Sequence, residues 1–347
     1  MRNALAQDLD HVLEHTRPIW EGLRGARLFL TGATGFFGSW LLETFVWAND
    51  ALKLEASVTA LSRDPEAFAQ KARHLVSHPA ISFWQGDMRT FPFPHGNFTH
   101  IIHAAADSGQ RITATDPIAV FDGIVSGTQR TLEFARECGA RRMLFTSSGA
   151  VYGAQPPEMT HVPEDYAGAP APHDFHSAYG EGKRAAETLC ALYAKQHGLE
   201  PVIARCFAFV GPSLPLDAHF AAGNFIRDAL AGGPIIVRGD GTPYRSYLYA
   251  ADLAIWLWTL LLRAEPSRPY NVGSEEEVTV ATLAERVAEV CGPSVEVRIA
   301  QRPEPGKPPA RYVPSTVRAR TELMLAQHID LSEAIRRTVA WARAPRR

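Results

Sequence analysis

The sequence predicts an α/β protein built on a doubly wound parallel sheet, with a smaller, discontinuous C-terminal region carried on it. Three observations predict this. A short apolar run, Leu28 to Thr31, breaks into glycines at Gly32, Gly35 and Gly38 and then into a helical pattern. Apolar stretches of strand length alternate with helical patterns from there to Phe207, the order that gives parallel strands joined by crossover helices. Beyond that point the alternation lapses into loop-rich segments, Pro212 to Ala222, Gly232 to Arg245 and Arg302 to Tyr312, with helical patterns between them. The expected division is a helical extension over residues 1–24, the sheet unit over 25–207 and the substrate-side remainder over 208–347.

The extension carries Leu5, Leu9, Val12 and Leu13 at helical spacing and reads as a helix docked on the body. In LFLTGATGFFG, Leu28 to Gly38, Gly32 lets the chain turn sharply off the strand. Gly35 lets the backbone approach a pyrophosphate, and Gly38 lets the new helix lie against the sheet. The free amides of the helix N-terminus, in the turn that also holds Thr34, Phe36 and Phe37, then face an anion. This is a dinucleotide cradle.

A helix over Phe36 to Trp47 leads to a second strand, Ala56 to Leu61, ending in Ser62, Arg63 and Asp64. That end faces the adenosine ribose, where an acid favours a free 2′-hydroxyl and an arginine a 2′-phosphate. Ser62 holds the usual acidic position and Arg63 follows, which tilts the choice between NADP and NAD toward NADP; Asp64 would serve a ribose hydroxyl if the loop were one residue longer. Ile81 to Trp84 is a third strand, followed by Asp87 and Met88. Phe98 to His103 is a fourth, running into Ala104, Ala105 and Ala106, whose small side chains let the backbone pass close to a cofactor. His103, at a strand end beside alanines, reads as a hydrogen-bonded structural histidine. Pro117 to Cys138 is a long helix stopped by Gly139, and Arg142 to Thr146 a fifth strand ending in TSSGAVYG. A proline-rich loop then crosses to Tyr179 and Lys183, and Val202 to Phe207 is a sixth strand.

Tyr179 and Lys183 are four residues apart and share a helix face. A phenol that titrates near about 10 is a poor base at neutral pH, and a neighbouring ammonium favours its phenolate. The lysine can also hold the nicotinamide ribose hydroxyls. With the cradle, this pair supports hydride transfer at a carbinol carbon.

The G-x-x-G-x-x-G spacing after Thr31, the strand-end serines and the Y-x-x-x-K pair resemble the extended short-chain dehydrogenase/reductase family, over roughly Ala26 to Leu325. The resemblance implies a Rossmann-type sheet and an NAD(P)-dependent nucleotide-sugar epimerase or dehydratase. Aligned on V-Y-G, Ser148 is the hydroxyl that binds the reacting oxygen, with Ser147 next best. The resemblance also places Asp87 at the adenine amino group, Arg245 at the diphosphate of the nucleotide sugar, and Asn224 and Arg311 at further nucleotide contacts. It implies a homodimer paired through the helices at Pro117 to Cys138 and Tyr179 to His197, which carry Phe121, Leu189, Leu192 and Tyr193. Two departures stand out: Ile124 and Ala208 each replace an asparagine usual in relatives.

Dehydratases of the family place acids directly after the strand-end hydroxyl, where this chain has Gly149 and Ala150. Neither can move a proton, so SGAVYG resembles the epimerase pattern. The reading is an epimerase acting by transient oxidation at C4 of a nucleotide-diphosphate sugar, with a 4,6-dehydratase or an NAD(P)H-dependent 4-ketoreductase as alternatives. Retention of both Tyr179 and Lys183 argues against a non-catalytic dinucleotide sensor.

A net charge of -2 and a pI near 6.7 give no electrostatic reason for nucleic acid or an anionic membrane as a partner. Cys138, Cys190, Cys206 and Cys291 form no C-x-x-C pair, so neither a metal site nor a disulfide framework is suggested. Asp8, Asp10 and Glu14 interrupt what a signal peptide would need as an apolar core, and no later stretch approaches about 18 uncharged apolar residues. A cytoplasmic location is expected. The basic tail RAPRR reads as frayed.

Overall fold

The computed structural model describes residues 3–105, 115–218 and 220–344; Ala106 and the end of the basic tail, both singled out above, lie outside them. Six strands follow the predicted order: β1 (Arg27–Thr31), β2 (Ser57–Ser62), β3 (Ile81–Gln85), β4 (His100–His103), β5 (Arg142–Ser148) and β6 (Glu200–Cys206). Farther on come β7 (Tyr244–Arg245), β8 (Pro269–Val272), β9 (Val278–Thr279) and β10 (Arg311–Tyr312). The central sheet has seven strands in the order β8-β6-β5-β4-β1-β2-β3, and every pairing in it is parallel. The order reverses between β1 and β4, which opens a crevice at the carboxyl ends of those strands. β8 was not anticipated: four residues beginning with proline are too short to show a period. It ties the C-terminal portion of the chain into the main sheet beside β6.

The helices α1 (Ala6–Thr16), α2 (Phe36–Leu52), α3 (Pro117–Cys138), α4 (Ala178–His197) and α5 (Ala250–Arg263) flank the sheet. α3 has the bounds its sequence announces. Asp116 accepts from the amide of Ala119 at 3.0 Å, Pro117 occupies the first turn where no amide partner is needed, and Gly139 closes it at φ 77°. α2 runs past the predicted Trp47 to Leu52 before Lys53 turns left-handed at φ 51°.

On one face α5 is buried from Ala250 through Leu261, and α1 packs across it. Leu9 and Val12 of α1 are buried, Asp8 accepts from Tyr249 Oη at 2.7 Å and pairs with Arg337, and the Trp20 and Trp258 rings meet at 4.7 Å. The N-terminal extension is therefore part of the packed body. On the other face, α3 and α4 pack on each other and on a cluster of Phe29, Phe91, Phe98 and Phe134. Ile124, in place of the usual asparagine, is buried against Gly182 of α4. Among the described residues no helix is long and apolar enough to cross a membrane.

A second, three-stranded sheet has the order β9-β7-β10. It sets Val278 opposite Arg245, and Arg311 and Tyr312 opposite Tyr244 and Arg245. Segments 66 residues apart in the chain, at Arg245 and Arg311, are thereby held side by side.

Candidate active site

The crevice is lined by Gly32, Thr34, Gly35, Ser62, Arg63, Asp87, Met88, Ala104 and Ala105, which brings together most of the residues expected to hold a dinucleotide. Gly32 sits at φ 72°, and a Cβ there would lie 2.6 Å from the carbonyl of Ala104 and the amide of Ala105. A Cβ on Gly38 would run into the carbonyl of Gly32, whereas one on Gly35 would make only a 3.4 Å contact. Gly32 and Gly38 thus serve the packing of turn, strand and helix, and Gly35 keeps the crevice side open. This cradle fits a dinucleotide. Phe36 and Phe37 open α2 and are not among the residues that line the crevice; the Phe37 ring is edge-on to Phe209 at 5.1 Å.

Asp64, the alternative ribose ligand, has one carboxylate oxygen engaged at the start of the next helix. It caps the short helix Pro65–Ala69, accepting from the amide of Ala67 at 2.9 Å, while Ser62 Oγ accepts from the amide of Asp64 at 3.1 Å. Asp87 is bound by Arg89 at 2.8 Å, and that hydrogen bond holds its carboxyl below the usual range. His103 is fully engaged: Nδ1 meets Thr31 Oγ1 at 2.7 Å and Nε2 meets Thr128 Oγ1 at 3.1 Å. Burial depresses its titration to about 3, so it stays neutral and structural.

At the end of β5, the helix α4 delivers Tyr179 and Lys183 to Ser148. Lys183 is 1% exposed; its ammonium donates to the carbonyl of Thr146 at 2.7 Å and lies 6.0 Å from the Tyr179 ring centroid. Burial pulls its titration down to about 8. The half-buried Tyr179 phenol is pushed up by desolvation, and the Ser148 hydroxyl opposes that shift. Removing the phenol from water is the larger effect on it; the ammonium expected to favour its phenolate lies 6.0 Å from the ring centroid, held on a backbone carbonyl.

Ser148 is buried, and its Oγ accepts from the amide of Ala150 at 3.1 Å within the single turn Gly149–Tyr152. Ser147 is not on this side. Adjacent strand residues face opposite ways, and Ser147 donates to Glu187 Oε1 at 2.5 Å. Glu187 is closed on Arg205 at 2.7 Å, so the hydroxyl of Ser147 is engaged by a half-buried ion pair. Sequence reading missed both members of that pair, although Glu187 extends the 179, 183 spacing by one more turn of the same face.

On the substrate side, Arg245 donates to the carbonyl of Tyr244 at 2.7 Å and lies over the Tyr312 ring at 5.9 Å. Arg311 stacks 4.2 Å over the Tyr244 ring and is paired with Glu277. Asn224 lies one turn into the helix Ala221–Leu230, where its side-chain oxygen accepts from Arg227 at 3.2 Å. The small sheet brings Arg245 and Arg311 together; no contact among the described residues ties Asn224 to them. It also brings a residue that sequence reading did not select, Tyr312, whose hydroxyl lies 3.4 Å from Ser148 Oγ.

The sequence model of the NAD dependent epimerase/dehydratase family matches residues 28–273, from the first strand of the central sheet through the last. The chain belongs to this family. UDP-glucuronic acid decarboxylase 5 of Arabidopsis thaliana is 32% identical over 311 residues, 89% of this chain and 87% of that protein. The Thermus thermophilus UDP-glucose 4-epimerase in complex with NAD is 27% identical, with a TM-score of 0.75 over 91% of this chain and 99% of that one. The Bacillus cereus UDP-glucuronic acid 4-epimerase in complex with UDP-glucuronic acid and NAD superposes with a TM-score of 0.78 over 91% and 98% of the two chains; at 22% identity it speaks for the fold. Membership establishes an NAD-dependent enzyme architecture of the sugar-nucleotide-modifying kind.

Proposed function

We propose that the protein is a nucleotide-sugar epimerase that oxidises a sugar hydroxyl, at C4, and restores it with the opposite configuration. The observation that carries this reading is the meeting of Tyr179, Lys183 and Ser148 at the end of β5, followed by Gly149 and Ala150 without a titratable side chain. Held in the cradle of Gly32, Thr34 and Gly35, NAD(P) would supply reversible two-electron acceptance for one sugar carbon. Tyr179, as the phenolate that the Lys183 ammonium favours against burial, takes the hydroxyl proton and gives it back, and Ser148 donates to the sugar oxygen as charge develops on it. Lys183, fixed by Thr146, keeps its remaining donors for a ribose hydroxyl and the phenol. Arg245 and Arg311, on adjacent strands, suit the diphosphate because a guanidinium offers two parallel donors. Asn224 is a weaker candidate for the same ligand.

Preference for NADP over NAD rests on Ser62 and Arg63 at the ribose end, with one carboxylate oxygen of Asp64 engaged by its helix. A homodimer is supported by apolar side chains left exposed on α3 and α4: Ile118 is 80%, Phe121 40% and Leu192 48% exposed. Leu189 and Tyr193 instead lean on the core beneath.

A second reading has its own support. The Arabidopsis relative is a decarboxylase, and oxidation at C4 of a uronic acid would leave a β-keto acid that can lose carbon dioxide without an added elimination acid. Among the described residues, Arg205 is closed on Glu187 and Arg311 on Glu277, so a uronate carboxylate would draw on hydroxyl and amide donors or on a guanidinium released from its partner. The deciding experiment incubates purified protein and NAD or NADP with UDP-, dTDP-, GDP- and CDP-sugars, uronic acids included, and reads products by mass and NMR. An unchanged mass with a new epimer supports the proposal. Loss of water, loss of carbon dioxide or a stoichiometric demand for reduced cofactor each overturns it in favour of dehydratase, decarboxylase or ketoreductase.

A further inference from the structure

Ser148 has one hydrogen to donate and two lone pairs with which to accept. One lone pair is taken by the amide of Ala150 at 3.1 Å. The second faces the hydroxyl of Tyr312, 3.4 Å away. If Tyr312 donates, both acceptor sites are filled and the hydrogen of Ser148 has one direction left, outward to the Tyr179 side and the reacting oxygen. At 3.4 Å the contact is long, and catalytic hydrogen bonds of this kind shorten when substrate is seated.

Tyr312 is held in place from several sides. Its ring packs on Phe207 at 4.7 Å. The residue after it, Val313, donates its amide to Gln155 Oε1 at 2.9 Å and accepts from the amide of Val162 at 2.9 Å. Asn271 of β8 donates to the carbonyls of Val162 and Ser315 at 2.9 and 3.0 Å, which anchors the strand's exit to the central sheet. The space for the hydroxyl is made by Gly149: a Cβ there would lie 2.8 Å from Tyr312 Oη and 2.7 Å from the Phe207 ring. The glycine that removes an acid from the strand end is thus also what admits the phenol. Burial pushes the phenol up to about 12, so Tyr312 keeps its proton at neutral pH and can donate.

We propose that Tyr312 is a positioning residue that makes Ser148 an obligate donor to the reacting sugar oxygen, and that it couples this donor to the diphosphate strands through its neighbour Arg311 and its pairing with Arg245. The inference rests on the function proposed above. The strands β7 and β10 carry both the diphosphate candidates and Tyr312, so donor alignment and diphosphate seating share one element.

The test is a double-mutant cycle on the turnover of the nucleotide sugar identified above. Tyr312→Phe keeps the ring and should lower kcat about 10- to 100-fold with KM changed little, because the aligned donor acts on charge present in the transition state. Ser148→Ala should lower kcat at least as much, and adding Tyr312→Phe to it should cost nothing further, since Tyr312 acts through the serine. Multiplying losses, or an unaltered kcat in Tyr312→Phe, would overturn the proposal. A readout that needs no turnover separates its failure from that of the assigned reaction. In protein labelled with 3-fluorotyrosine, the ¹⁹F resonance absent from Tyr312→Phe should move in Ser148→Ala. If it stays in place the contact is refuted, even where a substrate is found; if it moves while no nucleotide sugar is turned over, the assigned reaction is what fails.

Discussion

Burying the Lys183 ammonium is costly, and replacing it should stabilise the fold while ending the chemistry. Its amine, ordinarily at 10.5, titrates at about 8 because burial penalises the charged form. At pH 7 it is charged in both folded and unfolded chains, so the shift represents about 3 kcal/mol of folding free energy forgone, at about 1.4 kcal/mol per tenfold change in proton affinity. Lys183→Met keeps a long, flexible chain, relieves that penalty and loses the hydrogen bond to Thr146, worth about 1 to 2 kcal/mol for a charged donor. The net expectation is a gain of about 1 to 2 kcal/mol in urea unfolding at pH 7, with oxidation of any substrate lost. The pH dependence gives the sign. Between pH 8 and 10.5 the unfolded chain holds the lysine proton and the folded chain has released it, so parental stability rises with pH relative to the variant. The two curves should cross at about pH 9, with the parent the more stable above it. A variant less stable than the parent at pH 7, or a gap that does not narrow on raising the pH, would show that the ammonium is solvated inside the fold and that the reasoning fails.

His103 provides the acid counterpart. It titrates at about 3 when folded and 6.5 ordinarily, so its stabilisation is intact above pH 6.5 and is lost toward pH 3, with a slope approaching about 1.4 kcal/mol per pH unit. His103→Asn should flatten the urea midpoint between pH 6 and 4 by about one proton, and an unchanged slope would refute this. Arg63→Ala should weaken NADP by about 1.5 to 3 kcal/mol and leave NAD nearly unchanged in a fluorescence titration, the scale of a charge-assisted hydrogen bond; equal losses, or tighter NAD in the parent, would count against the 2′-phosphate. Sedimentation should give twice the 38.1 kDa chain mass, and Phe121→Glu, on the exposed side of α3, should return the monomer. A parent that stays monomeric at micromolar concentration would end the dimer proposal.

Much of the crevice was legible because its signals are local. Gly32, Gly35 and Gly38 announce a turn whose geometry needs them, and Asp116, Pro117 and Gly139 mark both ends of α3. The i, i+4 spacing of Tyr179 and Lys183 is likewise contained in one helix. What stayed hidden depends on distant segments. The seventh strand, Pro269–Val272, is defined by its pairing with β6, not by its own composition. Ser147 and Ser148 are chemically identical in sequence, and only their partners, Glu187 for the first and Tyr312 for the second, separate them. Tyr312 gave no local cue, since its value lies in a register with Arg245 that a two-residue strand cannot reveal.

The electrostatics of α4 explain why one helix face can carry this load. Tyr179, Lys183 and Glu187 stand on successive turns, so the face runs from a phenol through a cation to an anion as it passes over the end of β5. Burial opposes the charge on Lys183, and the Glu187 carboxylate restores part of it. Glu187 could not do this alone without incurring its own desolvation, and Arg205, reaching from β6, closes on it with two hydrogen bonds at 3.1 and 2.7 Å. The same guanidinium donates to Tyr152 Oη at 2.9 Å, and Tyr152 donates to Asn271 at 2.7 Å. Asn271 is the residue that pins the segment following Tyr312. The charges that keep Lys183 protonated and the hydrogen bonds that hold the substrate-side phenol are therefore two ends of one buried network.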